Sequence, residues 1–261
     1  MSKWMVAAKK ADFYAIAQQY HISPVMARII RNRDVIEEAD IRKFLHGTRQ
    51  DLYAPDLLKD MDKAVDILLD KIAQNKQIRI IGDYDIDGVC STYILYKGLG
   101  NCGAKVDTAI PHRMKDGYGL NEHLIQEAYE AGADTVLTCD NGIAAFSQIE
   151  YANSLGMTVV VTDHHEVPYE EKNTERQYLI PPAAAVVDPK QQDCHYPFPE
   201  ICGAVVAYKL VLALTAKRQG VTWQQVMESD MGLELLEFAA FATIGDVMEL
   251  RDENRIIVSE G

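Results

Sequence analysis

Three aspartates at alternate positions give this chain its clearest capacity for chemistry. Asp83, Asp85 and Asp87 follow a short apolar run and are flanked by two glycines. Like charges packed this closely repel one another, and a divalent cation is the usual way to offset the repulsion. The stretch therefore indicates a metal site in the loop between a strand and a helix, or else a solvated acidic turn.

Further acids and imidazoles follow other apolar runs. Asp140 comes after TVLTC, and Asp163, His164 and His165 come after TVVVT. Each also has a structural interpretation, because Asp-Asn-Gly is common turn chemistry and an aspartate can cap a helix that begins with the histidines. Asp246, at the end of an apolar helix, can equally be a capping acid. Taken together, carboxylates with one or two imidazoles match a two-metal site, and such an oxygen-rich set favours manganese or magnesium over zinc.

The elements that must position these groups alternate between strand and helix. We predict strands at 78–81, 105–111, 134–140, 157–163 and 183–189 and helices at 60–77, 89–98, 121–131, 145–156, 201–218 and 230–247. This pattern predicts an α/β fold with an open, mostly parallel β-sheet flanked by helices. Ligands of such sheets bind outside the carboxyl ends of the strands, which is where the acids and histidines lie. We expect Val89, Ile94 and Leu95 to face the core, and 166–182 to be a polar connection.

Composition limits the compartment and the class of partner. The chain has 261 residues, 48% hydrophobic and 25% charged, with a formal net charge of −13. That charge does not suggest a general binder of nucleic acid or anionic membranes, although a local basic groove is compatible with it. The five cysteines form no C-x-x-C pair, and neither a signal peptide nor an apolar run of membrane-spanning length is visible. We therefore expect a cytoplasmic protein with reduced thiols and no membrane association.

Five motifs carry a resemblance to a known family. GDYDIDG, TCDNGI, VTDHHE, CGAVVAYKL and ATIGDVMEL are similar, in order and spacing, to the successive motifs of the DHH phosphoesterase superfamily. Their flanks, including PHRMKDGYGL, resemble the RecJ-type exonucleases within it. The resemblance implies a helical N-terminal lead-in at 1–52 and a DHH catalytic domain at 53–261. RecJ-type proteins continue into a second, DHH-associated domain and often an OB-fold, so the chain is expected to be an N-terminal catalytic fragment.

The resemblance also implies roles for individual residues. Asp140 is expected to bridge two metal ions, and His165 to lie near the scissile phosphate. The backbone N–H of Gly203 is expected to reach a phosphate. The full expected metal set is Asp83 (as a supporting acid), Asp85, Asp87, Asp140, His164 and Asp246, with Asp140, His164 and His165 as catalytic residues and with Arg113, Tyr118, Gly119 and Gly203 as substrate-binding residues.

Two positions depart from the family pattern or are open to two interpretations. Ile81 stands where many relatives carry a further histidine ligand, which implies a weaker hold on the first metal. Asp188 ends its own predicted strand and could serve as an extra ligand or as a turn residue. We favour the turn, because the last acid of the family aligns better with Asp246.

The activity implied by the resemblance is a metal-dependent 5′-to-3′ exonuclease on single-stranded DNA. A metal-activated hydroxide would attack the terminal phosphodiester and release nucleoside monophosphates, in DNA repair and recombination. Single-stranded DNA is the expected partner, together with replication or repair proteins such as a single-strand-binding protein or a helicase. Two alternatives stay open: a DHH phosphoesterase for short oligonucleotides or cyclic dinucleotides, and a non-catalytic RecJ-like replication scaffold.

Overall fold

A five-stranded parallel sheet forms the centre of the fold. The computed structural model of the chain describes Lys3 and residues 10–114, 119–172 and 175–261. Its strands are β1 (Gln77–Ile81), β2 (Lys105–Ala109), β3 (Thr135–Cys139), β4 (Thr158–Thr162), β5 (Tyr169–Lys172), β6 (Glu175–Tyr178) and β7 (Ala185–Val187). The main sheet has the order β2-β1-β3-β4-β7, with every neighbouring pair parallel. The predicted open, mostly parallel sheet is confirmed.

Helices cover both faces of this sheet. They are α1 (Phe13–Tyr20), α2 (Pro24–Asn32), α3 (Glu38–His46), α4 (Met61–Ala73), α5 (Ile86–Asn101), α6 (Glu122–Glu130), α7 (Phe146–Ser154), α8 (Gly203–Gln219), α9 (Trp223–Met227), α10 (Asp230–Gly245) and α11 (Asp252–Glu260). Because side chains alternate along a strand, Ile80 joins the core formed with α4, α5, α8 and α10, whereas Ile81 joins the core formed with α6 and α7. No helix among the described residues is long and apolar enough to cross a membrane.

The strand order reverses next to β1, and this reversal creates the crevice that matters for function. From β1 the chain moves to β2 on one side and then returns to β3 on the other side. The carboxyl ends stay in register, since Ile81 pairs with Thr138 and Cys139 pairs with Thr162. Open α/β sheets bind ligands at such a switch point. Asn141 Nδ2 ties the two ends together by donating to the carbonyl oxygens of Ile81 (3.2 Å) and Cys139 (2.9 Å).

The start of α5 differs from the prediction. The helix begins at Ile86, with Asp85 as its N-cap accepting a hydrogen bond from the Gly88 N–H at 2.9 Å. Gly88 lies directly against Asp83, because an added Cβ would sit 2.5 Å from the Asp83 carbonyl oxygen. Because of this contact, the side of α5 that carries Gly88 packs against the loop that precedes the helix. Val89 consequently points outwards and is 46% exposed, so its predicted core position was wrong, whereas Ile94 and Leu95 are buried as predicted.

The connection at 166–182 also differs from the prediction. It contains the antiparallel pair β5–β6, with the rings of Tyr169 and Tyr178 at a centroid distance of 5.9 Å. Nearly all residues of this pair are exposed. Among the described residues of the pair, Tyr178 alone packs against the core, so the sequence lacks the alternation that reveals a half-buried strand.

The helical lead-in packs against the end of the described chain. Its own small core consists of Ile30, Val35, Ile41 and Phe44. The Arg255 guanidinium of α11 lies 4.0 Å from the centroid of the Phe44 ring, and its Nε donates to the Phe44 carbonyl oxygen at 2.6 Å. The predicted helical character of the lead-in is confirmed, and Ser23 Oγ caps α2 by accepting the Met26 N–H at 3.1 Å. A domain boundary at 52/53 stays a prediction.

A buried ion pair holds α8 and α11 together. Lys209 Nζ donates to Glu253 Oε1 at 2.9 Å, and the two residues are 3% and 0% exposed. Lys209 Nζ also donates to the Tyr53 carbonyl oxygen, and the Tyr196 hydroxyl donates to Glu253 Oε2. Burial lowers the pKa of Lys209, and the Glu253 carboxylate opposes that shift. This network fixes α11 against the rest of the domain. The sequence analysis predicted no helix at this position.

Replacing Glu253 by glutamine is expected to destabilise the protein by about 3–5 kcal/mol, because it leaves the buried Lys209 ammonium without its counter-charge. Urea denaturation would measure the loss. The matched control is Glu38→Gln, which removes the carboxylate of an exposed pair with Arg42 and should leave the unfolding midpoint unchanged. Equal midpoints for the two variants would contradict the role assigned to the buried pair.

Candidate metal centre

Five carboxylates and a histidine meet at the carboxyl ends of β1, β3 and β4. Asp83, Asp85 and Asp87 lie between β1 and the first turn of α5, and Asp140 follows β3 directly. His164 follows β4, and Asp246 is the C-cap of α10. All of these residues except Asp85 and Asp246 are buried. The structure therefore brings the whole predicted metal set to one edge of the sheet.

His164 is at the centre of the set. Its Nε2 lies 3.1 Å from Asp140 Oδ1, 3.4 Å from Asp87 Oδ2 and 3.8 Å from Asp246 Oδ2. The residues form three groups of possible metal ligands, and within each group the ligand atoms lie within 4.8 Å of one another. The groups are Asp83 with Asp85 and Asp140, Asp87 with His164 and Asp246, and Asp140 with His164 and His165. Asp140 and His164 each belong to two of these groups, and Asp140 is the one carboxylate among the described residues that does so. Because a carboxylate has two oxygens, this shared position supports the prediction that Asp140 bridges two ions.

The electrostatics of the centre favour bound cations. Burial, together with the charges of Asp87 and Asp85, raises the pKa of Asp140 to about 11. Burial also raises the pKa of Asp83 and of Asp246, with repulsion from Asp85 and from Asp87, respectively, adding to the shift. Asp83 Oδ2 and His164 Nδ1 are buried and have no hydrogen-bond partner in the described part of the chain. Bound divalent cations would offset the electrostatic cost of burying these carboxylates, so the residues fit a centre for divalent metal ions.

The backbone holds Asp140 in an unusual conformation. Its φ of 59° is in the left-handed region, which non-glycine residues adopt rarely. The N–H of Asp140 donates to the Thr162 carbonyl oxygen of β4 at 3.1 Å. Gly142, two residues on, has a φ of 118°, and a Cβ there would lie 2.6 Å from Thr138 Oγ1. The turn after β3 is therefore specialised to present one carboxylate into the crevice.

The N-terminus of α8 fixes a second acid. The N–H groups of Gly203 and Ala204 donate to the two carboxylate oxygens of Asp87 at 2.6 and 2.8 Å. A Cβ on Gly203 would lie 2.9 Å from Asp140 Cβ and 3.0 Å from Asp87 Oδ2. Only glycine lets the helix end approach this closely. We expected this N–H to reach a phosphate; in the structure it donates to Asp87 instead, so contact with a phosphate stays a prediction.

Asp163 is a site residue that the sequence reasoning missed. Its Oδ1 lies 2.7 Å from His165 Nδ1 and accepts the His164 N–H at 2.8 Å, while its Oδ2 accepts the Ile143 N–H at 2.9 Å. The hydrogen bond to Asp163 raises the pKa of His165. The same ring nitrogen, Nδ1, lies 4.0 Å from Asp140 Oδ1, so Asp163 holds the imidazole next to the metal set. The signal was an acid directly before two histidines, for which we considered a helix cap and predicted no site role.

Replacing Asp163 by asparagine is expected to lower phosphodiester hydrolysis by about 10- to 100-fold, because His165 loses the partner that orients it. The pKa of His165 should fall towards its ordinary value, since an amide does not stabilise the imidazolium as a carboxylate does. Steady-state kinetics and NMR titration of the imidazole would measure the two effects. An unchanged imidazole titration would contradict the assignment.

The predicted substrate-binding residues have mixed outcomes. The Arg113 guanidinium is exposed and lies 5.3 Å from the centroid of the Tyr84 ring, at the edge of the acidic loop. Gly119 N–H donates to Asp83 Oδ1 at 3.4 Å, so Gly119 contacts an acid of the metal set. Tyr118 lies outside the described residues. Contact of these residues with a substrate strand stays a prediction.

Two further positions need comment. Ile81, at the position where a further histidine ligand was considered, is a buried residue of β1. The group formed by Asp83, Asp85 and Asp140 therefore contains no histidine. Asp188 is buried beside the end of β4, and burial, with repulsion from Asp163, raises its pKa to about 7. Its Oδ1 accepts the Lys190 N–H at 2.7 Å, as expected for the turn that we favoured.

Comparison with known proteins decides the family. Residues 77–243 match the model described as "DHH family, N-terminal domain", which is more than half of the chain. The chain belongs to the DHH family. The acids of the centre from Asp83 to Asp140, and both histidines, lie within the matched DHH region, whereas Asp246 follows it closely.

Several proteins that are similar to the chain are RecJ exonucleases. The single-stranded-DNA-specific exonuclease RecJ of Bacillus subtilis is 38% identical over 260 residues, covering 99% of this chain and 30% of that protein. A crystal structure of exonuclease RecJ bound to manganese has a TM-score of 0.65 at 36% identity, over 78% of this chain and 47% of that one. RecJ of Thermus thermophilus in complex with Mn²⁺ has a TM-score of 0.70 at 29% identity, over 95% and 32% of the two chains. A complex of the same protein with Mg²⁺ has a TM-score of 0.60 at 26% identity, over 95% and 29%. The chain thus spans less than half the length of these relatives.

Proposed function

We propose that this chain supplies the catalytic centre of a metal-dependent exonuclease that degrades single-stranded DNA from its 5′ end in DNA repair and recombination. The observation that carries the proposal is the shared position of Asp140 between two groups of ligand atoms. Similarity to the RecJ exonucleases, including manganese- and magnesium-bound structures, supports the substrate and the metal. The proposal divides the chain into a lead-in at 1–52 and a catalytic domain at 53–261.

Two manganese or magnesium ions, when bound, would polarise the phosphate and acidify a water. Asp83, Asp85 and Asp140 would hold one ion, and Asp87, Asp140, His164 and Asp246 the other. In the hydrolysis, the oxygen of water bonds to phosphorus and the bond from phosphorus to the 3′-oxygen of the terminal nucleotide breaks. That oxygen takes a proton, so a nucleoside monophosphate leaves and the shortened strand keeps a 5′-phosphate.

His165 and Asp163 have separate parts in this reaction. Asp163 holds His165 Nδ1 at 2.7 Å and thereby fixes the orientation of the imidazole beside Asp140. An imidazole N–H in this place donates to a phosphate oxygen on which negative charge accumulates in the transition state. His165 is thus the catalytic residue that contacts the phosphate, and Asp163 is the residue that positions it.

The test is degradation of a 3′-labelled single strand by this protein in the presence of manganese. We expect loss of nucleotides from the 5′ end, no attack on a blunt duplex, and no activity in the presence of a chelator. Preferential cleavage of dinucleotides or cyclic dinucleotides would favour the oligonucleotide phosphoesterase instead. Failure to bind any divalent ion at neutral pH would favour the non-catalytic scaffold, which the intact set of acids argues against.

The cellular setting belongs to the same proposal. We place the protein in the cytoplasm, where all five of its cysteines, unpaired and mostly buried, would remain reduced. A single-strand-binding protein or a helicase would supply the unpaired strand. Pull-down of these partners by the full-length protein tests this part independently of the chemistry.

A further inference from the structure

A cavity of about 360 Å³ lies between the helical lead-in and the loop that follows Asp246, a member of the predicted metal set. One wall is the end of α2 with Asn32, Arg33 and Asp34, and the other is 248–251, in the loop that joins α10 to α11. The volume is within the roughly 300–1,000 Å³ that is usual for small-molecule sites. The second wall begins two residues after Asp246, so a ligand bound there lies close to the metal centre along the chain.

Two arginines line this cavity and a third lies near them, although the whole chain has a formal net charge of −13. The lining arginines are Arg33 and Arg251. Burial, together with the charge of Arg33, lowers the pKa of Arg255. In the described part of the chain, neither Arg33 nor Arg255 forms an ion pair with a carboxylate. Positive charges that repel one another in this way favour the binding of an anion.

The guanidinium groups of Arg251 and Arg255 are held in place by their neighbours. Arg255 lies over the ring of Phe44 and donates from Nε to the carbonyl oxygen of that residue. Arg251 lies 5.7 Å from the centroid of the Phe198 ring, and its Nε is 2.7 Å from an exposed carboxylate, Glu249 Oε2. These contacts use Nε, so within the described residues the terminal nitrogens of both groups are left for a ligand.

Exposed apolar side chains lie between the cavity and the metal centre along the chain. Val247, which follows Asp246 directly, is 87% exposed, and Ile244 on α10 is 58% exposed. The Val247 N–H donates to the Ile244 carbonyl oxygen at 3.1 Å, so the two residues are neighbours. A free anion would need the arginines alone, whereas a nucleic-acid strand presents bases as well as phosphates. The apolar residues beside the arginines therefore favour a strand.

We propose that this cavity, the arginine cavity, binds a backbone phosphate of the single strand at a nucleotide beyond the one that is cleaved. The inference rests on the proposed function and adds to it a contact between the helical lead-in and the strand. Arg33 and Arg251 contact the phosphate, and Ile244 and Val247 lie against the neighbouring bases. Because the polar contacts are to a phosphate, binding here does not depend on the base sequence.

The test measures binding without metal, so that hydrolysis does not affect it. Fluorescence anisotropy of a 3′-labelled oligothymidylate, in a chelator, gives the affinity of the wild type at several salt concentrations. Arg33→Gln, at an exposed position, should weaken binding about 5- to 10-fold. It should also lower the slope of log affinity against log salt by about 0.7 to 1, because one phosphate contact is lost. Glu249→Gln removes an exposed carboxylate from the wall of the cavity and should strengthen binding.

The matched control is Arg218→Gln, at an exposed arginine in the last turn of α8. This helix begins at the metal centre and has 17 residues, so its far end is about 25 Å away. The control removes the same charge and should leave the affinity and the salt slope unchanged.

Equal affinities of Arg33→Gln and Arg218→Gln, or a wild type that binds no strand in the chelator, would overturn the site. A free nucleoside monophosphate that binds as tightly as the strand, and loses its affinity in Arg33→Gln, would overturn the assignment to a strand. A wild type that binds the strand as expected but does not degrade it with manganese would reject the proposed function alone.

Discussion

Replacing Asp140 by asparagine is expected to abolish metal-dependent hydrolysis, by at least about a thousandfold, and to stabilise the protein when no metal is bound. Activity is lost because Asp140 is the carboxylate shared between two ligand groups. Stability is gained because burial, together with the charges of Asp87 and Asp85, makes Asp140 take up a proton when the metal-free protein folds at neutral pH, and the neutral asparagine avoids that cost. Asparagine is the substitution of choice, since it tolerates the left-handed φ of 59° better than alanine does.

The gain in stability should depend on pH. The pKa of Asp140 is about 11 in the folded, metal-free protein, far above its unfolded value, so the folded state binds more protons in between. Stability of the metal-free wild type therefore falls as pH rises from about 4 towards 11, and Asp140→Asn should make that fall shallower. Thermal unfolding in a chelator at several pH values measures this. Asp193→Asn, at an exposed acid paired with Lys59, is the control and should not flatten the profile. A parallel profile for Asp140→Asn would refute the electrostatic account.

Replacing Gly203 by alanine is expected to lower the affinity for manganese by about 10- to 100-fold, with a comparable loss of activity at limiting metal. The new Cβ would lie 2.9 Å from Asp140 Cβ and 3.0 Å from Asp87 Oδ2, so the end of α8 must move away. That movement breaks the two N–H contacts that hold Asp87. Calorimetric titration with manganese gives the affinity directly.

The matched control for this prediction is Gly100→Ala, in the last turn of α5. A Cβ there meets nothing within 4 Å, and alanine favours the helix over glycine. We expect unchanged manganese affinity and a small gain in stability. If Gly203→Ala bound manganese as tightly as Gly100→Ala, the helix end would have no part in shaping the centre.

The sheet and most of the centre could be predicted because both depend on local signals. Each buried strand is a short apolar run, and Asp140 and His164 follow two of these runs directly or within two residues. The exposure of Val89 could not be predicted, since it depends on how closely Gly88 packs against Asp83 where β1 leads into α5. Asp163 was missed for a related reason. Asp163 matters because it binds both the Ile143 N–H and the His165 ring, and Ile143 is brought next to it only by the fold.

Main-chain groups hold the ligands of this centre, and that feature bears on which ions can enter it. Two amides of α8 clamp Asp87, and a left-handed turn tied to β4 presents Asp140. Carboxylates fixed in this way cannot move apart to admit a larger ion. Mg²⁺ takes oxygen ligands at about 2.0–2.1 Å in a strict octahedron, whereas Ca²⁺ needs about 2.3–2.6 Å and more ligands. The backbone thus makes the centre selective for ions of small radius, and calcium should compete poorly with magnesium and manganese.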